Sequence, residues 1–364
     1  MPILRKSAVV ALSSVILAGC ADESQFAARG AARREIISED LAQLDDAGQP
    51  ILARPERLSV DRTGRFFIAD KSDKDVKVYG NDGRRVATWG RAGRGPGEFA
   101  ALLTAQAFGD SVVAYDFEGA RLTVFSPAGR YARAVSLARL SFAPWFVRAV
   151  DDSLFLAGAA VPGSVGRPLL ALLRPDGSPV STFFNPAKVV GTNPAVIQQM
   201  FVVADAAHGV VFAALAGGDS LWVFDYRGRP LGSAPLDPVQ PVPTSRSLIE
   251  SNRGRLQRPD GSYVVDGQRM LFSVVALDSG TVALQISKRD ALRGTDLLEG
   301  GTLIVAAVQP GSGPAMVART ELTGGLPGSD RSGAPLVLRY ASADQDRYAI
   351  TRLRLADLAP GASP

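Results

Sequence analysis

Cysteine and histidine are almost missing from this 364-residue chain, which has Cys20, His208 and no others. One thiol cannot build a disulfide framework, and with one imidazole it cannot supply the three or four nitrogen and sulfur ligands of a zinc site. Copper centres and Cys–His nucleophile pairs are excluded on the same count. Lysine is scarce as well, with six lysines against 34 arginines. The arginines are scattered among acidic residues rather than run together, so no nucleic-acid partner is expected. Amphipathic helical periods of twelve or more residues are also lacking. What is plentiful is apolar: the chain is 46% hydrophobic, with 37 glycines and 24 prolines. That is too apolar for a disordered chain, and the length suffices to bury roughly three quarters of the unfolded surface.

The first residues read as an export signal. Arg5 and Lys6 are followed by an apolar run over Ser7 to Gly19, thirteen residues long and ending at Leu17-Ala18-Gly19-Cys20. A membrane-spanning helix needs about twenty residues, whereas a cleaved signal does not. The last four residues resemble the bacterial lipobox, which implies a signal peptide over 1–19 and lipidation of the Cys20 thiol. Residues 20–34, rich in alanine and small polar residues, then read as a flexible tether. The expected location is the cell envelope, held to the membrane by the lipid on Cys20. Ala21 supplies no acidic retention signal, which favours the outer membrane or periplasmic side. Removing 1–19 takes away Arg5 and Lys6, and 38 basic residues against 36 acidic ones leave a charge of +2.

The remainder repeats. A β-rich run ending in an aromatic residue or Leu, then three residues, then Gly, recurs as Tyr79-Gly-Asn-Asp-Gly83, Phe125-Ser-Pro-Ala-Gly129, Leu173-Arg-Pro-Asp-Gly177 and Phe224-Asp-Tyr-Arg-Gly228. The glycines are 46, 48 and 51 residues apart. Between them lie apolar runs of five or six residues that read as alternating strands, such as Arg65 to Asp70 and Ser111 to Asp116. Asp-Gly, Pro-Asp-Gly and Arg-Gly turns suit antiparallel hairpins, because Gly tolerates positive φ. A period in the forties with about four strands is the signature of a β-propeller blade. The fold expected is all-β: a six-bladed β-propeller of four-stranded antiparallel blades over 35–358, followed by a tail at 359–364. Five blades fall at about 55–90, 103–137, 145–184, 199–236 and 267–322. The sixth holds 335–342 and 347–355 and lacks strands, and Glu35 to Leu44 is expected to supply its outer one. Residues 237–267, with Pro238, Pro241 and Pro243, form an insertion that could serve as a lid.

Residues 54–137 are similar to the NHL-repeat pattern. Arg54-Pro55 precedes an inner strand, Asp61-Arg-Thr-Gly64 makes a turn, Ala69-Asp70 ends the second strand, and Trp89 to Phe99 is a Gly-rich passage into the next blade. The wider resemblance is to bacterial six-bladed propeller lipoproteins of the TolB-like class, which implies the fold and leaves the chemistry open.

Function on such a scaffold belongs at the axial channel, where inner strands from distant parts of the chain converge. Taking the first residues of each inner strand, Glu56, Arg57, Gln106, Arg148, Gln198 and Gln199 are the candidates for one channel mouth. The leading expectation is a binding scaffold without catalysis, whose partner is a small ligand or an envelope protein. The alternative, by resemblance to six-bladed lactonases, is a calcium-dependent hydrolase with Glu56 as its first ligand. Calcium could also meet Asp70, Asp73 and Asp75, but the EF-hand glycine and distal glutamate are missing and a charged hairpin turn explains that cluster. Otherwise no cofactor is expected. Gly90 to Gly97 is as Gly-rich as a phosphate loop but leads into a strand instead of a helix, so it reads as a blade connection. His208 is expected to be exposed at a turn, and Trp89, Trp145 and Trp222 to pack between blades.

Overall fold

The computed structural model describes residues 34–45, 52–159, 167–185, 200–215, 220–235, 269–277, 281–288, 301–307, 315–322, 325–329, 334–341 and 347–357. Cys20, Gln198, Gln199 and the 237–267 segment lie outside them. Within them the chain is all-β. After β1 (Arg34–Gln43), the first blade is β2 (Pro55–Val60), β3 (Phe66–Asp70), β4 (Asp75–Tyr79) and β5 (Arg85–Trp89), hydrogen-bonded in that order from the axis outward. A short parallel pair, β6 (Arg91–Ala92) and β7 (Glu98–Phe99), carries the chain to the second blade. That blade is β8 (Leu102–Phe108), β9 (Ser111–Asp116), β10 (Arg121–Phe125) and β11 (Tyr131–Ser136).

The third is β12 (Pro144–Ala149), β13 (Phe155–Ala159), β14 (Leu170–Leu173) and β15 (Pro179–Phe183). The fourth is β16 (Met200–Asp205), β17 (Val210–Leu215), β18 (Ser220–Asp225) and β19 (Pro230–Pro235). The fifth is β20 (Arg269–Ala276), β21 (Thr281–Lys288), β22 (Gly301–Ala307) and β23 (Ala315–Leu322). The sixth sheet contains β24 (Gly325–Ser329), β25 (Pro335–Tyr340) and β26 (Tyr348–Asp357), and its fourth, outermost strand is β1.

Six blades of four strands therefore close through the N-terminal strand. Arg34 pairs with Asp357 at one end of the β1–β26 ladder and Gln43 with Ala349 at the other. Side chains reinforce it: Asp40 accepts from the Thr351 hydroxyl at 2.6 Å and from the Arg339 guanidinium at 3.1 Å.

The second strands are the most deeply buried, two of them end to end. All five residues of β3 and all five of β13 are shielded, because each blade is covered on both faces by its neighbours. This is why their sequences run as nearly continuous apolar stretches and not in the strict alternation expected of a half-solvated sheet. The core is correspondingly divided into six apolar clusters, one between each pair of adjacent blades, the last joining blade six to blade one. Trp89 lies in the first of these junctions against Phe67 and Phe125, and Trp222 in the third against Phe184.

The four repeat glycines, Gly83, Gly129, Gly177 and Gly228, all have φ between 78° and 83°, as a tight turn before the outer strand requires. They also sit against the outer strand of the preceding blade. A Cβ on Gly129 would meet the Trp89 indole at 2.2 Å, and one on Gly228 would meet the Phe183 side chain at 2.6 Å. The recurring glycine thus marks a turn and a blade-to-blade contact at once.

Candidate functional site

The innermost strands β2, β8, β12, β16, β20 and β24 present one open edge each to the axis, and an open edge leaves backbone donors and acceptors without a ladder. Side chains from neighbouring blades answer part of this need. Ser59 Oγ accepts from the Ala107 N–H at 3.1 Å; Thr104 Oγ1 and Gln106 Nε2 both donate to the Val147 carbonyl, at 3.1 and 3.2 Å. Arg148 Nη1 donates to the Val202 carbonyl at 2.6 Å. Each bond runs between adjacent blades, so polar residues of the channel staple blades one to four around it.

Between them is a cavity of about 380 Å³. Its wall is built from the later residues of the inner strands and the turns that follow: Arg57 to Val60, Thr104 to Ala107, Arg148 to Asp152, Val203 to Ala207, Val274 to Leu277 and Gly328. Of the residues named from sequence, Arg57, Gln106 and Arg148 meet here. They are third or fifth in their strands, so the cavity lies beyond the strand starts that the sequence argument used.

Glu56 does not reach it, pairing instead with Lys71 at 3.2 Å and with Arg54 at 3.9 Å. The cause is a recurring bulge. In β2 the register passes from Pro55 opposite Asp70 to Arg57 opposite Ala69, leaving Glu56 as the extra residue, and the same slip occurs around Leu103, Trp145 and Phe272. One extra residue inverts which side chains face inward. Trp145, the extra residue of its strand, is 47% exposed and lies edge-on to Phe117 of the preceding blade, so it meets a neighbouring blade as expected but at the surface of the junction.

The interior of the cavity is cationic. Burial lowers the pKa of the Arg57 guanidinium, with Glu56 acting in the opposite sense. Burial lowers that of Arg148 further, and the charge of Arg57 adds to the effect. Arg148 lies over the Phe146 ring, 4.7 Å from its centroid, and its Nε is buried without a hydrogen-bond partner. The rim is acidic, and each of its carboxylates is held locally. Asp151 accepts from the Ser153 and Leu154 N–H groups, and Asp152 from Arg62 at 2.6 Å and the Gly109 N–H at 2.8 Å. Asp205 meets His208 Nδ1 at 2.7 Å. His208 is exposed at its turn, as expected, with this added partner. Ser59, Thr104 and the rim aspartates carry no mark in the sequence beyond an acidic residue at or just after the end of the inner strand, at Asp151 and Asp205.

Two motifs set aside above have structural explanations. The Asp70, Asp73 and Asp75 carboxylates gather around the Lys77 ammonium, which is 1% exposed, bonded to Asp73, 3.0 Å from Asp75 and 3.6 Å from Asp70. Asp70 also accepts the Ala53, Arg54, Ser72 and Asp73 N–H groups and so clamps the chain leading into β2. Asp116 does the same for the Ala101 N–H in blade two, which is the physical role of the aspartate ending these second strands. In the Gly-rich passage, Gly95 donates its N–H to Glu98 Oε2 at 2.8 Å and Glu98 Oε1 binds Arg91. The loop thus folds onto its own carboxylate.

No protein-family model matches the sequence, and no curated protein is found similar to it. Among solved structures, a Bacteroides vulgatus member of the DUF4221 family is 10% identical over 90% of this chain and 99% of its own, with a TM-score of 0.56. A Bacteroides fragilis protein described as exported is 11% identical over 88% of this chain and 95% of its own, with a TM-score of 0.58. Both likenesses are of fold. Together with the six closed sheets they identify a six-bladed β-propeller of the kind found in bacteria.

Proposed function

We propose that this protein is an envelope-tethered propeller that binds a ligand in its axial cavity and performs no chemistry on it. The observation that carries the reading is the convergence of Arg57, Gln106 and Arg148, from three blades, on one cavity of about 380 Å³. A cavity of that size with apolar walls and few polar groups is what small-molecule sites have. The lipid on Cys20 would keep the ring at a membrane while leaving it in solution, and the exported Bacteroides fragilis neighbour is compatible with a place outside the cytoplasm.

The test is a cavity-filling substitution. Ala204 lines the cavity, and Ala204→Phe should abolish the thermal shift that an extract of envelope small molecules gives with the full chain while leaving the ligand-free Tm within a few degrees. An extract that stabilises the variant as well as the parent would contradict the reading.

A further inference from the structure

Resting on this binding reading, we propose that the ligand is a small monoanion with an apolar body, whose carboxylate is received between the Arg57 and Arg148 guanidiniums. Arg148 carries the argument. Of its donors, one is bound to the Val202 carbonyl, Nε is buried and unpartnered, and among the described residues no carboxylate forms an ion pair with it. The planar fork rests on Phe146, which orients its remaining N–H groups and leaves them for a carboxylate, the acceptor that best matches a guanidinium edge. A structural ion pair would place an acid here. Instead the chain places a second arginine on the same cavity wall, and each guanidinium raises the free-energy cost of charge on the other.

The rim limits what can enter. Asp151, Asp152 and Asp205 put negative charge on the side of the cavity built by blades three and four, although Arg62 and His208 each share one of these carboxylates. A single negative charge that passes this rim gains two cations inside, whereas a polyanion would leave charge against the aspartates. Between rim and arginines the wall is Val60, Ala107, Val150, Val203, Ala204 and Val275, which offers contact to a hydrocarbon body and few hydrogen bonds. The acidic rim and the apolar wall together favour an organic carboxylate over inorganic phosphate.

The experiment uses the full chain with three probes: hexanoate, its neutral counterpart hexanamide, and inorganic phosphate, read by thermal unfolding and calorimetry. Hexanoate should raise the Tm in proportion to the logarithm of its concentration, and hexanamide and phosphate should bind at least tenfold more weakly. Arg148→Met and Arg57→Met should each weaken hexanoate tenfold or more, and Arg148→Lys less. Arg148→Met should keep the ligand-free Tm or raise it, since it removes a buried charge. If it fails to fold for want of its bond to the Val202 carbonyl, Arg57→Met decides, and hexanoate binding unchanged in that variant overturns the proposal. Equal binding of hexanamide, lost in Ala204→Phe, would overturn the anion while sparing the cavity. Hexanoate binding unchanged by Ala204→Phe would overturn both.

Discussion

A methyl group added at Gly129 would force φ near +78° on a residue with a side chain and drive it into the Trp89 indole. Gly129→Ala should therefore lower the unfolding free energy by about 2 kcal/mol, the size of backbone strain with a local clash, as urea denaturation would measure. Lys77 is the other residue whose loss should be severe. Burial opposes its charge, but its hydrogen bonds to Asp73 and Asp75 outweigh that and its pKa stands raised. Lys77→Met strands the fully buried Asp70 and its neighbours without their cation, and should destabilise by about 3 kcal/mol. The same denaturation series would show it, and a variant as stable as the parent would refute the account of this turn. At this scale the sequence was legible where a residue type has one physical use. The repeat glycines announce positive φ, and Arg57, Gln106 and Arg148 stand out as polar residues in apolar strands. Glu56 was misread because a single-residue bulge leaves no mark in the composition of a strand, yet changes which of its side chains face inward.

Among the elements, β1 is the one whose removal tests closure. It was readable because the last blade was short of strands, and the strand that fills the gap is more than three hundred residues from its partner in sequence. The clusters between blades can form in order along the chain until the sixth, where β26 must find β1. Thr351, and after it Arg339, hold the Asp40 carboxyl below the usual aspartate value of 3.8. A carboxylate with a depressed folded pKa contributes stability that is complete above the ordinary value and disappears as pH falls through the folded one. The protection factors of the Ile36 to Gln43 amides, exchange rates corrected for the intrinsic pH dependence, should thus be unchanged from pH 7 to about 5 and should fall below about pH 4, earlier than those in β3 or β13. Asp40→Asn should remove that pH step. The middle strands were legible as strands but not as doubly buried ones, since a short apolar run has the same appearance whether one face is covered or two.

For the whole molecule, the account joins a closed ring to a lipid tether. Cys20→Ala should move the protein from the membrane fraction to the soluble one, as immunoblots of fractionated cells would report, and unchanged retention would contradict lipidation. The ring itself was legible from the period and the length. The site was legible only in part, because the cavity is made by six strands whose relative heights depend on bulges and turns. What the strands enclose decides between a binding protein and a bare scaffold. The most direct measurement is a structure of the full chain isolated from its own envelope with no ligand added. The account predicts a bound molecule in the axial cavity, seated against Arg57 and Arg148. A cavity holding only water, with a ligand or partner seated on the outer strands instead, would contradict it.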